Sequence, residues 1–185
     1  MNILITGHTS GIGNSLLKKF NAEKINVYGI SRRISDQIPI SNQLDLDLSK
    51  VENINKARDW VSKLKFHMFF HCAGTNPIIS IFNAKNETYT DCFNLHFLSA
   101  SQIFRGCLIN KDPKDSLKII LLSSIWSLIS AHSRGPYSVA KNALNCLAKQ
   151  IAIEHGVDKV QAISIALGFV KTGLTEITKS DEKIK

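Results

Sequence analysis

The sequence predicts an α/β fold, a doubly wound parallel sheet of about six strands with helices on both faces, and three observations carry that reading. Short apolar runs alternate with longer segments of helical period, the order produced when each strand of a parallel sheet is followed by a crossover helix. The runs are near-continuously apolar rather than alternating, as strands covered on both faces must be. No internal repeat and no Pro/Gly/Ser-rich linker interrupts the series, so the 185 residues are expected to form one domain, 1–185.

Taken in order, strands are expected at 2–6 (NILIT), 27–31 (VYGIS), 43–46 (QLDL), 67–71 (HMFFH), 118–123 (KIILLS) and 160–165 (VQAISI). Helical spacing of apolar residues places helices at 12–20, 54–64, 90–108 and 137–155. Pro136 stands where a proline opens a helix, and Gly156 where a glycine closes one. Pro39, Pro77 and Pro113 fall between elements.

Composition narrows the function. With 44% hydrophobic and 21% charged residues the chain is an ordinary globular one, which excludes a disordered tract. Lys and Arg outnumber Asp and Glu by 23 to 15, a formal charge of +8. Lys18, Lys19, Arg32, Arg33, Lys63, Lys65, Lys111 and Lys114 are scattered, with no stripe of the kind that tracks a nucleic-acid backbone. A phosphorylated small ligand is therefore the expected partner, and nucleic acid is not. Cys72, Cys92, Cys107 and Cys146 lie far apart without metal-ligand spacing and read as reduced, mostly buried thiols with no metal. No N-terminal leader pattern and no run of about 18 apolar residues is present, so a cytoplasmic location without a membrane partner is expected.

The first strand runs into TGHTSGIG, residues 6–13. In this context Gly7, Gly11 and Gly13 allow a tight turn, close approach of the backbone to a pyrophosphate, and close packing of helix on strand. The helix N-terminus that follows offers free N–H groups and a partial positive charge, so Thr6, Ser10 and Ile12, with the three glycines, outline an anion site of the Rossmann type. The end of the second strand selects between cofactors. Ser31-Arg32-Arg33 supplies no carboxylate for a ribose, and it supplies guanidinium forks suited to a 2′-phosphate, which favours NADP and leaves NAD possible.

A second constellation lies further along. Tyr137 and Lys141 are one helical turn apart, and Ser124 ends the fifth strand at the edge where open α/β sheets bind ligands. Hydride exchange at a carbonyl carbon needs a proton at the oxygen, and a phenol with a pKa of about 10 needs help to supply or take it near neutrality. Lys141, together with the positive charge of an oxidised nicotinamide, would lower the Tyr137 pKa and hold the cofactor ribose, while Ser124 would position the substrate oxygen.

These motifs resemble the short-chain dehydrogenase/reductase family over about residues 2–173. The glycine loop matches the family's TGxxxGIG, and YSVAKNALNCLAKQI, residues 137–151, is similar to its active-site helix. The resemblance implies further roles. Asp47 and Leu48 in LDLSK correspond to the adenine pocket, with Asp45 as the rival to Asp47. Ala73 and Gly74 in HCAG correspond to the Asn-Asn-Ala-Gly segment. Asn94 corresponds to the asparagine that shapes a helix and holds a proton-relaying water. Gly168, Val170 and Thr172 in ALGFVKTG correspond to the nicotinamide segment PGFVxT.

Three departures stand out. His71 and Cys72 replace the two asparagines, with His71 expected to be packed or hydrogen-bonded. Leu167 replaces a proline. The chain ends at Lys185, where the family usually continues through a covering helix and a seventh strand. The expected function is an NADP-dependent oxidoreductase interconverting a carbonyl or alcohol substrate. The alternative is a cofactor-binding module with little or no catalysis and a structural or regulatory role. An epimerase of the extended relatives is disfavoured by the glycine spacing. Substrate contacts are expected from Asn76, Ile125, Trp126, Leu128 and His132. The resemblance also implies a homodimer or homotetramer built on the helices containing Asn94 and Lys141, whose apolar positions Phe97, Ile103, Leu144, Leu147 and Ile151 permit it and equally fit an ordinary core.

Overall fold

The computed structural model describes residues 1–173. Strands β1 (Asn2–Thr6), β2 (Asn26–Ser31), β3 (Gln43–Asp45), β4 (Met68–His71), β5 (Leu117–Ser124) and β6 (Val160–Leu167) form one sheet in the order β3-β2-β1-β4-β5-β6, with every pairing parallel. The chain winds outward from β1 through β2 to β3, then returns beside β1 at β4 and winds the other way. That reversal opens a crevice above the C-terminal ends of β1 and β4, where such sheets place their ligands.

Alternating side chains of the strands feed two apolar layers. Leu4, Ile30, Phe69, Ile119 and Leu121 join Ile54, Ala57 and Val61 of α2 (Val51–Val61), Ile103 and Cys107 of α4 (Ser99–Ile109), and Leu144 and Ala148 of α5 (Gly135–His155). Ile3, Ile5 and Val27 face the other way and pack on Leu17 of α1 (Gly11–Ala22). Helices therefore cover both faces, as the apolar runs require. Among the described residues no helix is long and apolar enough to cross a membrane.

The long helix expected at 90–108 differs from expectation. Helix α3 (Asn86–Phe93) is followed by a π-turn at Asn94–Leu98 before α4 resumes. Ser99 Oγ donates to the Leu95 carbonyl at 2.6 Å, and the Asn94 side chain leaves the helix to donate to the Ser49 carbonyl at 2.8 Å. The apolar residues at helical spacing on either side of the π-turn do not reveal it, because the backbone stays helical throughout. Gly156 also differs: its φ is −59°, within helical space, and the left-handed residue that ends the following turn is Lys159 at φ 61°. Pro136 lies in the first turn of α5, as expected.

The N-terminal half of α5 is fastened to the end of β5 by hydroxyls and amides. Ser123 Oγ donates to the Lys141 carbonyl at 3.0 Å, Ser127 Oγ donates to the Ser124 carbonyl at 2.6 Å, and Asn142 and Asn145 each donate to Ser127 at 2.8 Å. These bonds fix the distance from strand end to helix, and with it the spacing of Ser124, Tyr137 and Lys141.

Candidate active site

The glycine loop closes over the end of β1. Gly7 adopts φ 69° and its N–H donates to the Ile30 carbonyl at 2.8 Å, so the loop is tied to β2 as it turns. A side chain at Gly7 would lie 2.9 Å from the backbone of Ala73, and one at Gly13 would lie within 2.3 Å of the Gly7 carbonyl oxygen. Neither position has room for a Cβ, and the left-handed φ of Gly7 adds a second reason there. Ser10 is the extended residue that precedes α1, and the first turn of the helix carries no acidic side chain. Its free N–H groups and positive end remain available to an anion.

Thr6 binds the two sides of the crevice together. Its Oγ1 accepts from the backbone N–H of Cys72 and of Ala73, each at 3.2 Å, and lies 2.9 Å from His71 Nδ1. With both lone pairs engaged, the hydroxyl donates to Nδ1, which places the imidazole proton on Nε2. That N–H faces the carbonyls of Leu95 and His96 in the π-turn without closing a short hydrogen bond. His71 is thus packed and hydrogen-bonded, as expected. Burial and the nearby Lys141 charge push its pKa down to about 3.

At the C-terminal end of β2, Ser31 Oγ lies 2.6 Å from Thr9 Oγ1, and Arg32 and Arg33 project into solvent just beyond. Asp47 accepts from the Ser49 N–H at 3.0 Å. Burial alone would raise its pKa, but the Ser49 backbone and hydroxyl, with the charges of Arg32 and Lys50, outweigh it and hold the carboxyl below the usual range. The Arg32 charge therefore reaches Asp47 without an ion pair between them among the described residues, while Asp45 is exposed at the end of β3. The Leu48 side chain is buried in the core, so only its backbone can face a ligand.

The other end of the crevice is a cavity of about 130 Å³ lined by Ser124, Tyr137 and Lys141 together with Ile12, Gly74, Gly168, Val170 and Thr172. The Ser124 hydroxyl sits beside the Tyr137 hydroxyl closely enough to favour the phenolate. Lys141 is buried with its Nζ donating to the Leu122 carbonyl at 2.6 Å and lying 5.8 Å from the Tyr137 ring centre. Burial lowers its pKa to about 8, against an opposing pull from Cys72 and Cys92. Tyr137 runs against the expected direction. Burial raises its pKa above the ordinary phenol value, and the Ser124 hydroxyl and the Arg134 charge only partly offset it. The expected lowering by Lys141 is not present in the chain alone, because the ammonium is turned toward Leu122 rather than toward the phenol oxygen.

Of the expected substrate contacts, Asn76, Ile125 and Trp126 line this cavity, whereas Leu128 and His132 point into solvent. Of the residues after Thr172, the other region on which substrate contacts were expected to depend, only Gly173 is among the described residues. Three further residues come into view. His96 is fully buried, lines the cavity with its Nε2 3.0 Å from the Thr75 carbonyl, and meets the Tyr137 ring edge-on at 5.7 Å. Arg134 is only 2% exposed, bonds Asn76 at 2.8 Å, and bridges its strand-like turn to Ile79. Phe169 packs edge-on against Trp126 at 6.0 Å. Phe169 falls within the ALGFVKTG segment already singled out, whereas His96 and Arg134 were marked by no motif.

Comparison with known proteins agrees with this geometry. The family described as short chain dehydrogenase matches residues 1–183. The chain is 26% identical over 198 residues to the uncharacterized oxidoreductase YbbO of Escherichia coli K12, covering all of this chain and 72% of that protein. It is 23% identical over 193 residues to carbonyl reductase [NADPH] 2 of Sus scrofa, covering 78% of it. Among solved structures, 4-hydroxyisoleucine dehydrogenase complexed with NADH superposes with a TM-score of 0.84 at 23% identity, over 99% of this chain and 79% of that one. A short chain dehydrogenase family protein of Francisella tularensis superposes equally well, with a TM-score of 0.84 at 22% identity over 99% and 76%. A parallel sheet with its crevice at β1 and β4, a glycine loop that no other residue could form, and a family match running almost end to end lead to one conclusion: this chain belongs to the short-chain dehydrogenase family and is a nicotinamide-dependent oxidoreductase.

Proposed function

We propose that this protein is an NADPH-dependent carbonyl reductase, running in reverse as an alcohol dehydrogenase, with Ser124, Tyr137 and Lys141 as its catalytic residues. The observation that carries the reading is the convergence of these three side chains on one cavity beside the glycine loop. The residues fit the cofactor: a phosphate-sized approach over Gly7, Gly11 and Gly13, the α1 N-terminus, and the backbone of Ala73 and Gly74 along the crevice. Gly168, Val170 and Thr172 border the nicotinamide end. When bound, the cofactor supplies or accepts the hydride.

The chain's own groups handle the oxygen. Ser124 Oγ–H donates a hydrogen bond to the carbonyl oxygen and fixes its position. The Tyr137 O–H then gives its proton to that oxygen as charge develops there. Burial keeps Tyr137 protonated at neutral pH, which suits an acid acting in the reductive direction. Lys141 can rotate from Leu122 to hold the ribose hydroxyls and bring its charge toward the phenolate left behind. Asn94 opens the π-turn, where its backbone carbonyl accepts from the Ser99 N–H and keeps a second lone pair for a water that relays protons to Lys141.

Arg32 and Arg33 support NADPH over NADH, since a guanidinium meets a 2′-phosphate in two parallel hydrogen bonds and gains nothing from a bare ribose. The four unpaired thiols support a reducing, cytoplasmic setting. Ile103, Leu144 and Ile151 are buried in the core of the chain itself, so support for a homo-oligomer through α5 is limited to its exposed apolar residues Val139 and Ile153. The test is NADPH oxidation against a panel of ketones and aldehydes. Tyr137→Phe is expected to lower kcat by at least about 100-fold with cofactor affinity intact. A Tyr137→Phe protein with wild-type turnover would remove Tyr137 from the chemistry.

A further inference from the structure

Gln43, the first residue of β3, is buried, and its side chain bonds to nothing in its own strand. Oε1 accepts from the Ser35 N–H at 2.7 Å and lies 3.2 Å from His8 Nε2. Nε2 donates to the carbonyls of Ser35 at 2.7 Å and Ile38 at 3.0 Å. An amide oxygen can only accept, so His8 Nε2 is the donor and His8 is the neutral Nε2–H tautomer.

The partners of this one side chain come from two places. Ser35 and Ile38 belong to the connection from β2 to β3, which begins with Arg32 and Arg33. His8 belongs to the glycine loop. His8 is seated directly over β2, where any side chain at Gly29 would come within 2.5 Å of its ring. Ile38 anchors the far end of the connection among Ile3, Ile5, Leu17 and Val27. An open cleft lined by Thr9, Asn14, Arg33, Ser35 and Gln43 runs between the two loops.

We propose that Gln43, together with His8, is the positioning residue for cofactor choice: it holds the 32–38 connection against the glycine loop so that Arg32 and Arg33 stand ready for a 2′-phosphate. The proposal rests on the NADPH reading given above. A connection this long, released from its fastening, would have to be ordered each time the phosphate binds, and that conformational entropy subtracts from affinity. NADH has no 2′-phosphate, so its affinity does not draw on the arginines and does not depend on the latch.

The test compares wild type, Arg32→Ala and Gln43→Met by fluorescence titration with NADPH and with NADH. Methionine is close in length and apolar, so it keeps the packing and removes all four hydrogen bonds. The expected result for Q43M is NADPH binding weakened about 5- to 10-fold with NADH within 2-fold, and faster amide hydrogen exchange confined to residues 32–38. A parallel loss for both cofactors, or an unchanged NADPH-to-NADH ratio while Arg32→Ala abolishes the preference, overturns the latch and leaves the NADPH reading standing. A wild type with no preference, indifferent to Arg32→Ala, overturns the NADPH reading itself, and that outcome is visible before any Gln43 variant is made. Should Q43M not fold, Gln43→Glu, which keeps the acceptor for the Ser35 N–H, is expected to show the same split between cofactors, and an equal loss on both overturns the proposal.

Discussion

Three histidines illustrate how burial, rather than residue type, decides chemistry at single positions. His8, His71 and His96 are all buried, and desolvation is the leading cause that lowers each pKa, to about 3 for His71. A histidine whose folded pKa lies below its unfolded value of 6.5 stabilises the native state above that value and loses the contribution as pH falls through the interval, because the unfolded chain takes up the proton first. For His71 the window runs from pH 6.5 down to about 3, and the slope approaches about 1.4 kcal/mol per pH unit. Urea unfolding at pH 7.5 and pH 5.0 is therefore expected to show a marked loss of stability at the lower pH. His71→Asn should shrink that loss by on the order of 2 kcal/mol, whatever it costs at pH 7.5. An identical pH dependence in wild type and variant would mean that His71 does not titrate as described. The sequence marked His71 as a packed residue but could not tell that His96 shares its fate, because the π-turn that swings His96 inward leaves no periodic signature.

Among the elements, the β1–loop–α1 unit was legible almost to the residue, because glycine spacing and strand hydrophobicity constrain it independently. The other glycine read as structural, Gly156, does follow the last residue of α5, but its backbone is helical and nothing lies within 4 Å of where a Cβ would stand, so the stop does not require a glycine. The two make a paired prediction. Gly13→Ala forces a methyl against the Gly7 carbonyl and is expected to destabilise the fold by about 2 kcal/mol or more, lowering Tm by several degrees. Gly156→Ala is expected to be neutral or to raise stability by about 0.5 kcal/mol, since it only narrows the unfolded ensemble. Thermal melts of both variants decide it, and a stable Gly13→Ala protein would show that the loop can relax away from α1. The helix expected at 90–108 ends near the expected residue but begins four residues earlier, at Asn86, and is not continuous, since the side-chain bond from Asn94 to Ser49 that accompanies the π-turn is a long-range contact that no local pattern encodes.

At the scale of the molecule, the doubly wound parallel sheet of six strands with helices on both faces followed from the alternation of apolar runs and helices, whereas the order β3-β2-β1-β4-β5-β6, and with it the crevice at β1 and β4, is read only from the structure. What the sequence could not supply were the tertiary fastenings that set the site: Thr6 across to Cys72 and Ala73, the hydroxyl and amide bonds from β5 to α5, and Gln43 across the β2–β3 connection. The +8 charge is spread over the surface, with Arg32 and Arg33 placed at the mouth of the crevice, so the field favours an anionic ligand there. The central claim is that this crevice binds a nicotinamide dinucleotide across the glycine loop, and titration of the purified protein with NADPH, followed by the reduced nicotinamide's fluorescence, tests it most directly. Saturable binding with enhanced emission, lost when Gly11 and Gly13 are both replaced by valine, is the predicted result. An emission spectrum unchanged up to millimolar protein, with NADH equally silent, would contradict it.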